Sequence, residues 1–453
     1  MKILITSDNH LGYNETDNIR CNDSFRTFEE ILMAGRDETV DFIIQGGDLF
    51  HYNKPSRNTY KKTFELLKKY NKNINKTENQ LRFSNLKVEL NKTNISNLRP
   101  FLSIHGNHDD PSGYNSVSPM DVLHSTGLLY YFGKTNRIDQ INIKPILIEK
   151  ESAKVAVYGL GHIKDRRLYR IIMQNRIHFE PVSNDYYKIL VVHQNRVCRK
   201  EEYFPEEKIP SFFNLVIFGH EHLSEKIRGK YFDIIQVGSS VRTSLSMDER
   251  GSKYVYFLDV EENKCKISRK ELKSVRYFHI NTFSVSNTDI DKNLKKIVSD
   301  AVNECYKKRT NDLLPLLRLR LETTEHLKYD KKSLFSMVEN KIANPVDFIK
   351  IRKIEVNSGN ETIKPVFEKS SGFTDIYKSI LKTMSINTFS DSKAVDALDL
   401  YIEKNDKKAF NDLIYKNMDD LLKNINIEDL GAESIDEIIQ TAKLKAHKKN
   451  EGL

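Results

Sequence analysis

From the first residues to about residue 259 one pattern recurs: a short run of β-branched and leucine-rich positions, then glycine, aspartate, asparagine or histidine directly behind it. The runs are Ile3–Ile5, Phe42–Ile44, Phe101–Ile104, Val155–Tyr158, Ile189–Val192, Leu215–Phe218 and Ile234–Val237. Short stretches that stay apolar on consecutive positions predict strands covered on both faces. Between the early runs the period changes. Phe25, Phe28, Ile31 and Leu32 fall at helical spacing, and Tyr60, Phe64 and Leu67 do so after Pro55, so both segments are expected to be helices. Strands alternating with helices predict an α/β layered domain, in which ligands collect beyond the carboxyl ends of the strands. The polar clusters lie at those ends.

The pattern also divides the chain. Lys68 to Leu98, rich in asparagine and lysine, is expected to be a long loop or weak hairpin inserted between two core strands. Near Val275 a different unit begins. Leu294, Ile297, Val298, Ala301, Val302 and Cys305 form a helical stripe; Leu317, Leu319 and Leu321 alternate with polar residues as a half-buried strand; a second helix is expected over Leu334 to Val338 and a strand over Phe348 to Ile351. A polar stretch from Asn357 to Thr374 then leads to helices carrying Leu398, Leu400, Leu413, Leu421, Ile435 and Ile438, and to a basic end, Lys443 to Lys449. The expected division is therefore 1–272, an α+β unit over 273–356, and a linker with helices over 357–453.

A chain of 453 residues exceeds what one typical core serves, which agrees with that division. The formal net charge of +9 and pI near 9.0 favour a polyanionic partner such as nucleic acid. Cys21, Cys198, Cys265 and Cys305 are far apart and form no C-x-x-C pair, so neither a disulfide framework nor a thiolate zinc site is expected. No apolar run approaches the roughly 18 residues of a membrane span, so the expectation is a soluble, intracellular protein.

Five strand-end motifs supply metal-ligand chemistry: Asp8-Asn9-His10, Gly46-Gly47-Asp48, Gly106-Asn107-His108-Asp109, Val192-His193 and Gly219-His220-Glu221-His222. A single histidine at a strand end is most often structural; five successive strand ends of this kind point to a shared site. In Asp8-Asn9-His10 and His220-Glu221-His222 the i, i+2 spacing sends two side chains from the same side of an extended segment. Imidazole and carboxylate donors without thiolate favour manganese, iron or zinc over magnesium. A carboxylate shared through Asp48 suits two ions roughly 3.5–4 Å apart, the arrangement that hydrolyses phosphoesters.

In this order the motifs resemble the calcineurin-like metallophosphoesterase superfamily, with its D-x-H, G-D, G-N-H-[DE], H and G-H-x-H pattern. Gly46 to His51 with Asn53 to Arg57, Ile104 to Pro111, and Val192-His193-Gln194 resemble, more narrowly, the meiotic recombination eleven family of eukaryotic double-strand-break repair nucleases. Pro315 to Arg320 and Ala343-Asn344-Pro345 are similar to that family's capping domain. The resemblance implies a calcineurin-like β-sandwich core flanked by helices, with 1–272 as the nuclease domain, 273–356 as a smaller α+β cap, and the C-terminal helical region 357–453 meeting an ATPase partner. It assigns one ion to Asp8, His10, Asp48 and His222, and the other to Asp48, Asn107, His193 and His220. His108 takes a catalytic role at the scissile phosphate, His51 is a further active-site histidine, and Gln236 to Arg242 borders the site. Implied too are two manganese ions, DNA as substrate, exonuclease action on duplex ends and endonuclease action on single strands or hairpins, and a nuclear location. The implied partners are a second copy of the chain, a coiled-coil zinc-hook ATPase and a third regulatory subunit. Lys164, Arg166, Arg167 and Arg170 suit either DNA phosphates or plain solvent. Two other readings stand beside this one, a phosphatase or small-molecule phosphodiesterase on the same core and a scaffold that has lost its metals.

Overall fold

A computed structural model describes residues 1–71, 81–84, 99–112, 114–135, 140–197, 203–262 and 264–354. Most of the Lys68–Leu98 insertion, and the expected linker and helices beyond residue 356, lie outside the described residues.

Two mixed sheets face each other. The first has the order β9 (Lys264–Glu271), β8 (Tyr254–Glu261), β1 (Lys2–Thr6), β2 (Phe42–Gln45), β3 (Phe101–Ser103) and the short strand Tyr130–Tyr131. The second is built on β7 (Asp233–Gln236), β6 (Leu215–Gly219), β5 (Tyr187–His193) and β4 (Ala153–Leu160), which run parallel. Antiparallel strands Glu225–Arg228 and Ile146–Lys150 flank them. Because side chains alternate along a strand, Ile3 and Ile5 of β1 enter the layer between the sheets, where they meet Val155, Val157, Ile189 and Val191 from the other sheet. Leu4 turns the opposite way, onto helices α1 (Asp23–Asp37), α2 (Arg57–Tyr70) and α3 (Pro119–Ser125). Ala156, Tyr158, Leu190 and Val192 do the same on the far side, against α4 (Asp165–Met173). Both faces of the central strands are thus covered, which is why their sequences are continuously apolar.

Local chemistry sets the helix ends. Ser56 caps α2 by accepting from the Thr59 N–H at 3.0 Å, a contact of about 1 kcal/mol. Glu15 in turn accepts from the hydroxyls of Ser56 and Thr59 and ties the loop after β1 to this helix. Tyr60, Phe64, Leu66 and Tyr70 are half-buried against the outer core, and Leu67 is fully inside it. Met120 and Leu123 of α3 are also core residues, whereas Val122 stays 39% exposed. Most of the apolar surface of these two helices is therefore covered within the chain.

Residues 278–353 form a separate three-stranded parallel sheet in the order β10 (Phe278–Ser284), β11 (Leu316–Thr323), β12 (Ile349–Lys353). The crossovers are α5 (Ile290–Lys308) and α6 (Lys331–Val338), as parallel pairing requires. The expected stripe packs here: Leu294, Val298, Ala301 and Cys305 of α5 meet Leu317, Leu319 and Leu321 of β11 in a separate apolar core. The expected order of helix, strand, helix and strand appears in this unit, and the apolar pattern left out only its first strand, β10, and the parallel pairing.

Candidate metal centre

All five motifs leave their strands at the same end of the two sheets. The turns that carry them are tight. Asp8, His10, Asp48 and His220 all have positive φ, at 50°, 47°, 53° and 86°. Non-glycine residues seldom adopt such values, and their clustering is typical of strained functional turns. Backbone bonds hold the turns against one another: the Asp8 N–H donates to the Gly47 carbonyl at 3.0 Å, and the His10 N–H to the Asp48 carbonyl at 3.0 Å. Gly47, at φ +97°, has no room for a side chain, since a Cβ would stand 2.4 Å from His193 Nδ1. A Cβ on Gly106 would stand 2.1 Å from Asp48 Oδ1. The glycines of two motifs thus let the ligand-bearing turns approach.

The side chains collect in two groups. Asp8, His10 and His222 present donor atoms that all lie within 4.8 Å of one another. Within this group His10 Nε2 and His222 Nε2 face each other at 3.3 Å. In the other group His193 Nε2 lies 3.3 Å from Asp48 Oδ2 and 3.3 Å from Asn107 Oδ1, and Asn107 Oδ1 lies 2.9 Å from His220 Nδ1. Asp48 stands between them, with Oδ2 also 4.0 Å from His10 Nε2. Asp8, Asp48 and His193 form a further cluster of the same tightness. The structure therefore brings together all seven residues that the resemblance names as ligands.

His108 and His51 lie alongside the first group. The His108 N–H donates to Asp48 Oδ1 at 2.8 Å, and its ring Nδ1–H donates to the His51 carbonyl at 2.8 Å. That leaves Nε2 as the free ring nitrogen. The His51 and His108 rings stack at 4.8 Å, and His10 contacts both edge-on. A third tight cluster, His10, His51 and His108, results.

Electrostatics shows why protein groups alone do not complete this site. His193 donates its Nδ1–H to the Gly46 carbonyl at 2.7 Å, which turns Nε2 toward the Asp48 carboxylate. A neutral ring there would oppose its lone pair to a carboxylate oxygen, so the position demands a proton or a cation. Burial pulls the His193 imidazole down, but the charges of Asp48 and Asp8 outweigh it and hold the ring up at about 10. Burial also pulls His222 down, but the Glu249 and Asp8 carboxylates prevail and raise it, whereas three neighbouring rings go the other way. Burial, reinforced by neighbouring histidines, lowers His220 to about 3 and His51 to about 4, and takes His10 well below its usual value. Four imidazoles with converging nitrogens, two carboxylates and one amide oxygen suit divalent transition ions. The donor set fits such ions.

Two contributors escaped the motif reading. Glu249 is fully buried, accepts from the backbone N–H groups of Thr243, Ser244 and Leu245 at 2.8–3.0 Å, and takes the Nδ1–H of His222 at 2.8 Å. Burial pushes its carboxyl up, yet His222 and Lys253 prevail and hold it well below the usual range. Glu249 thereby fixes the His222 tautomer and leaves Nε2 facing His10. Its segment, Ser246-Met247-Asp248-Glu249-Arg250, reads as an ordinary polar turn, so no local signal marks it. His162, behind β4, is the second: its ring lies 6.2 Å from His220 and 6.3 Å from His193. Glu249→Gln is expected to weaken manganese binding by about 10–100-fold, read by calorimetry on the folded protein. Unchanged affinity would remove Glu249 from the centre. The basic residues Lys164, Arg166, Arg167 and Arg170 are all exposed at or within α4.

Among the described residues no helix is long and apolar enough to cross a membrane. The family model for calcineurin-like phosphoesterases matches residues 1–224. The double-strand break repair protein MRE11 of Encephalitozoon cuniculi is 37% identical, over 100% of this chain and 85% of that protein. The MRE11 proteins of Mus musculus and Arabidopsis thaliana are each 32% identical, over 91% and 92% of this chain and 65% and 64% of their own lengths. The chain thus spans just under two thirds of the mouse and plant relatives. With an alignment of this identity running the whole length of the chain and most of the Encephalitozoon protein, and with the calcineurin-like core beneath it, this chain belongs to the MRE11 family.

Proposed function

We propose that this chain is a manganese-dependent DNA nuclease that hydrolyses phosphodiester bonds during double-strand-break repair, acting on duplex ends and on single strands or hairpins. One observation carries the reading: Asp48 lies between two groups of imidazole, carboxylate and amide donors, with the free ring nitrogen of His108 alongside. Asp8, His10 and His222 would hold one divalent ion, Asn107, His193 and His220 the other, and Asp48 would serve both. When bound, such a pair neutralises phosphate charge and acidifies a water nucleophile. The protein's own groups do the rest. Glu249 and the Gly46 carbonyl orient His222 and His193 through their Nδ1–H groups. His108, its Nδ1–H held by the His51 carbonyl, leaves Nε2 unengaged, and as an imidazolium it would give the Nε2 proton to the departing 3′ oxygen and return to the neutral ring. The stacked His51 ring narrows its freedom.

Purified protein incubated with labelled duplex and single-stranded DNA, and in parallel with p-nitrophenyl phosphate esters, distinguishes the readings. Manganese-dependent DNA cleavage abolished by chelator supports the nuclease. Turnover of the small esters alone would make the chain a phosphatase, and no turnover of either would make it a scaffold.

The same reading includes a second copy of the chain, a coiled-coil ATPase partner, a third regulatory subunit and a nuclear location. It also treats residues 273–356 as a cap on the nuclease domain and 357–453 as the region that meets the ATPase. A charge placed on an exposed helix position tests the dimer. Tyr60 packs against Phe50 with ring centroids 5.3 Å apart, so a charge there attacks the core of a single chain. Val122, exposed on α3, is the cleaner position. Val122→Asp is expected to give a folded monomer by light scattering, because at a two-fold interface each carboxylate recurs across the axis and must be desolvated. A variant that stays dimeric would exclude α3 as the contact.

A further inference from the structure

Beyond Glu249 and Thr243, which contact His222, a small cavity lies where α1, the loop after β7 and the segment leading into β10 come together. Arg20, Asp23, Arg242, Ser274, Arg276 and Leu316 are among its walls, and its volume is about 10 Å³, room for one occupant of water size. Three guanidinium groups in so small a space is unusual, and each is buried: Arg20, Arg242 and Arg276 are 4%, 6% and 5% exposed.

Most of their donors are satisfied by backbone. Arg276 donates to the carbonyls of Ile19 and Leu314 and to Asp23 Oδ2 at 2.7 Å; Arg242 donates to the carbonyls of Arg276 and Gly251; Arg20 donates to the Arg242 carbonyl. Among the described residues, two buried nitrogens on the cavity-lining arginines have no hydrogen-bond partner, Arg20 Nε and Arg242 Nη1. Arg20 Nε stands 3.8 Å from Asp23 Oδ2, beyond hydrogen-bond length.

The charges do not balance either. Asp23 is the one carboxylate in the lining, and Arg26 draws on it as well from 3.4 Å. Glu30, on the same helix, is taken up by the N–H groups of Lys273 and Ser274 and the Ser274 hydroxyl. Glu249 faces Arg242 but is engaged by His222 and three backbone N–H groups. Burial lowers the Arg242 guanidinium to about 10 despite Glu249. A water molecule would satisfy the two open donors and leave the positive excess buried; an anion answers both needs.

We propose that this cavity binds a single small inorganic anion of the halide class, held by Arg20 Nε and Arg242 Nη1. Its place in the fold gives the site a role. Arg20 and Asp23 belong to the catalytic body, Arg276 and Leu316 to the segment and strand of the three-stranded unit, and Arg242 bonds to both. A bound halide therefore joins the small unit to the body, and it tightens this junction under the same salt that weakens contacts to DNA phosphates.

Melting of the full chain in chloride, bromide or gluconate at constant ionic strength tests the idea, gluconate being too large for the cavity. The melting temperature is expected to rise by several degrees with increasing chloride or bromide and to stay flat in gluconate. In Arg20→Gln the halide-specific rise is expected to vanish. The second measurement needs no variant: crystals of the wild-type chain grown in bromide should show an anomalous peak within hydrogen-bond reach of Arg20 Nε and Arg242 Nη1. Superimposable melting in all three salts, or a cavity holding only a water in the bromide crystals, would overturn the proposal.

Discussion

Replacing Asp48 with asparagine is expected to bring metal-dependent hydrolysis down to the assay background while leaving a folded protein. The carboxylate carries the negative charge that two divalent ions would share, and an amide cannot supply it. Asparagine keeps two things that alanine would lose. It tolerates the left-handed backbone at φ 53°, where an ordinary side chain costs about 1–2 kcal/mol, and its Oδ1 still accepts from the His108 N–H. Binding of DNA should weaken only modestly, because it rests on dispersed phosphate contacts. Circular dichroism, a filter-binding assay and turnover on labelled DNA separate the three effects. Cleavage near the parent rate would remove the shared carboxylate from the mechanism.

The second large effect is expected at His108. His108→Asn leaves every assigned ligand in place but removes the ring nitrogen freed by the Nδ1–H bond to the His51 carbonyl. Turnover should fall by roughly 100-fold or more, as losses of a general acid do, with metal content unchanged. Metal analysis beside single-turnover kinetics checks both halves. If the ions leave with the imidazole, His108 is a ligand, and the tight cluster it forms with His10 and His51 is the place it would bind.

How much of this was legible beforehand varies with the kind of residue. Ile3 to Ile5 and Ile189 to Val192 announce themselves because both faces of those strands are covered, so the apolar run is unbroken. The motifs behind them share one end of the sheets because parallel strands point the same way. That is why Asp8, Asp48, Asn107, His193 and His220 could be grouped from order alone. Glu249 could not. It reaches His222 through a loop whose path depends on tertiary packing, and a glutamate among Ser, Asp and Arg looks solvated. The arginine cavity was equally silent, since Arg20, Arg242 and Arg276 are far apart along the chain and nothing in the sequence joins them. The face of α2 was visible as apolar, but only packing shows that Leu67 is fully inside while Tyr60 and Phe64 are half-covered. Sequence periodicity reports that a face is apolar, not which body covers it.

The central claim is that one carboxylate serves two metal ions, and locating the ions tests it most directly. Crystals of the wild-type chain equilibrated with manganese, measured at the manganese absorption edge, are expected to show two anomalous peaks, one beside His10 and His222 and one beside His193 and His220, with Asp48 in contact with both. A single peak, or two peaks neither of which touches Asp48, would contradict the account.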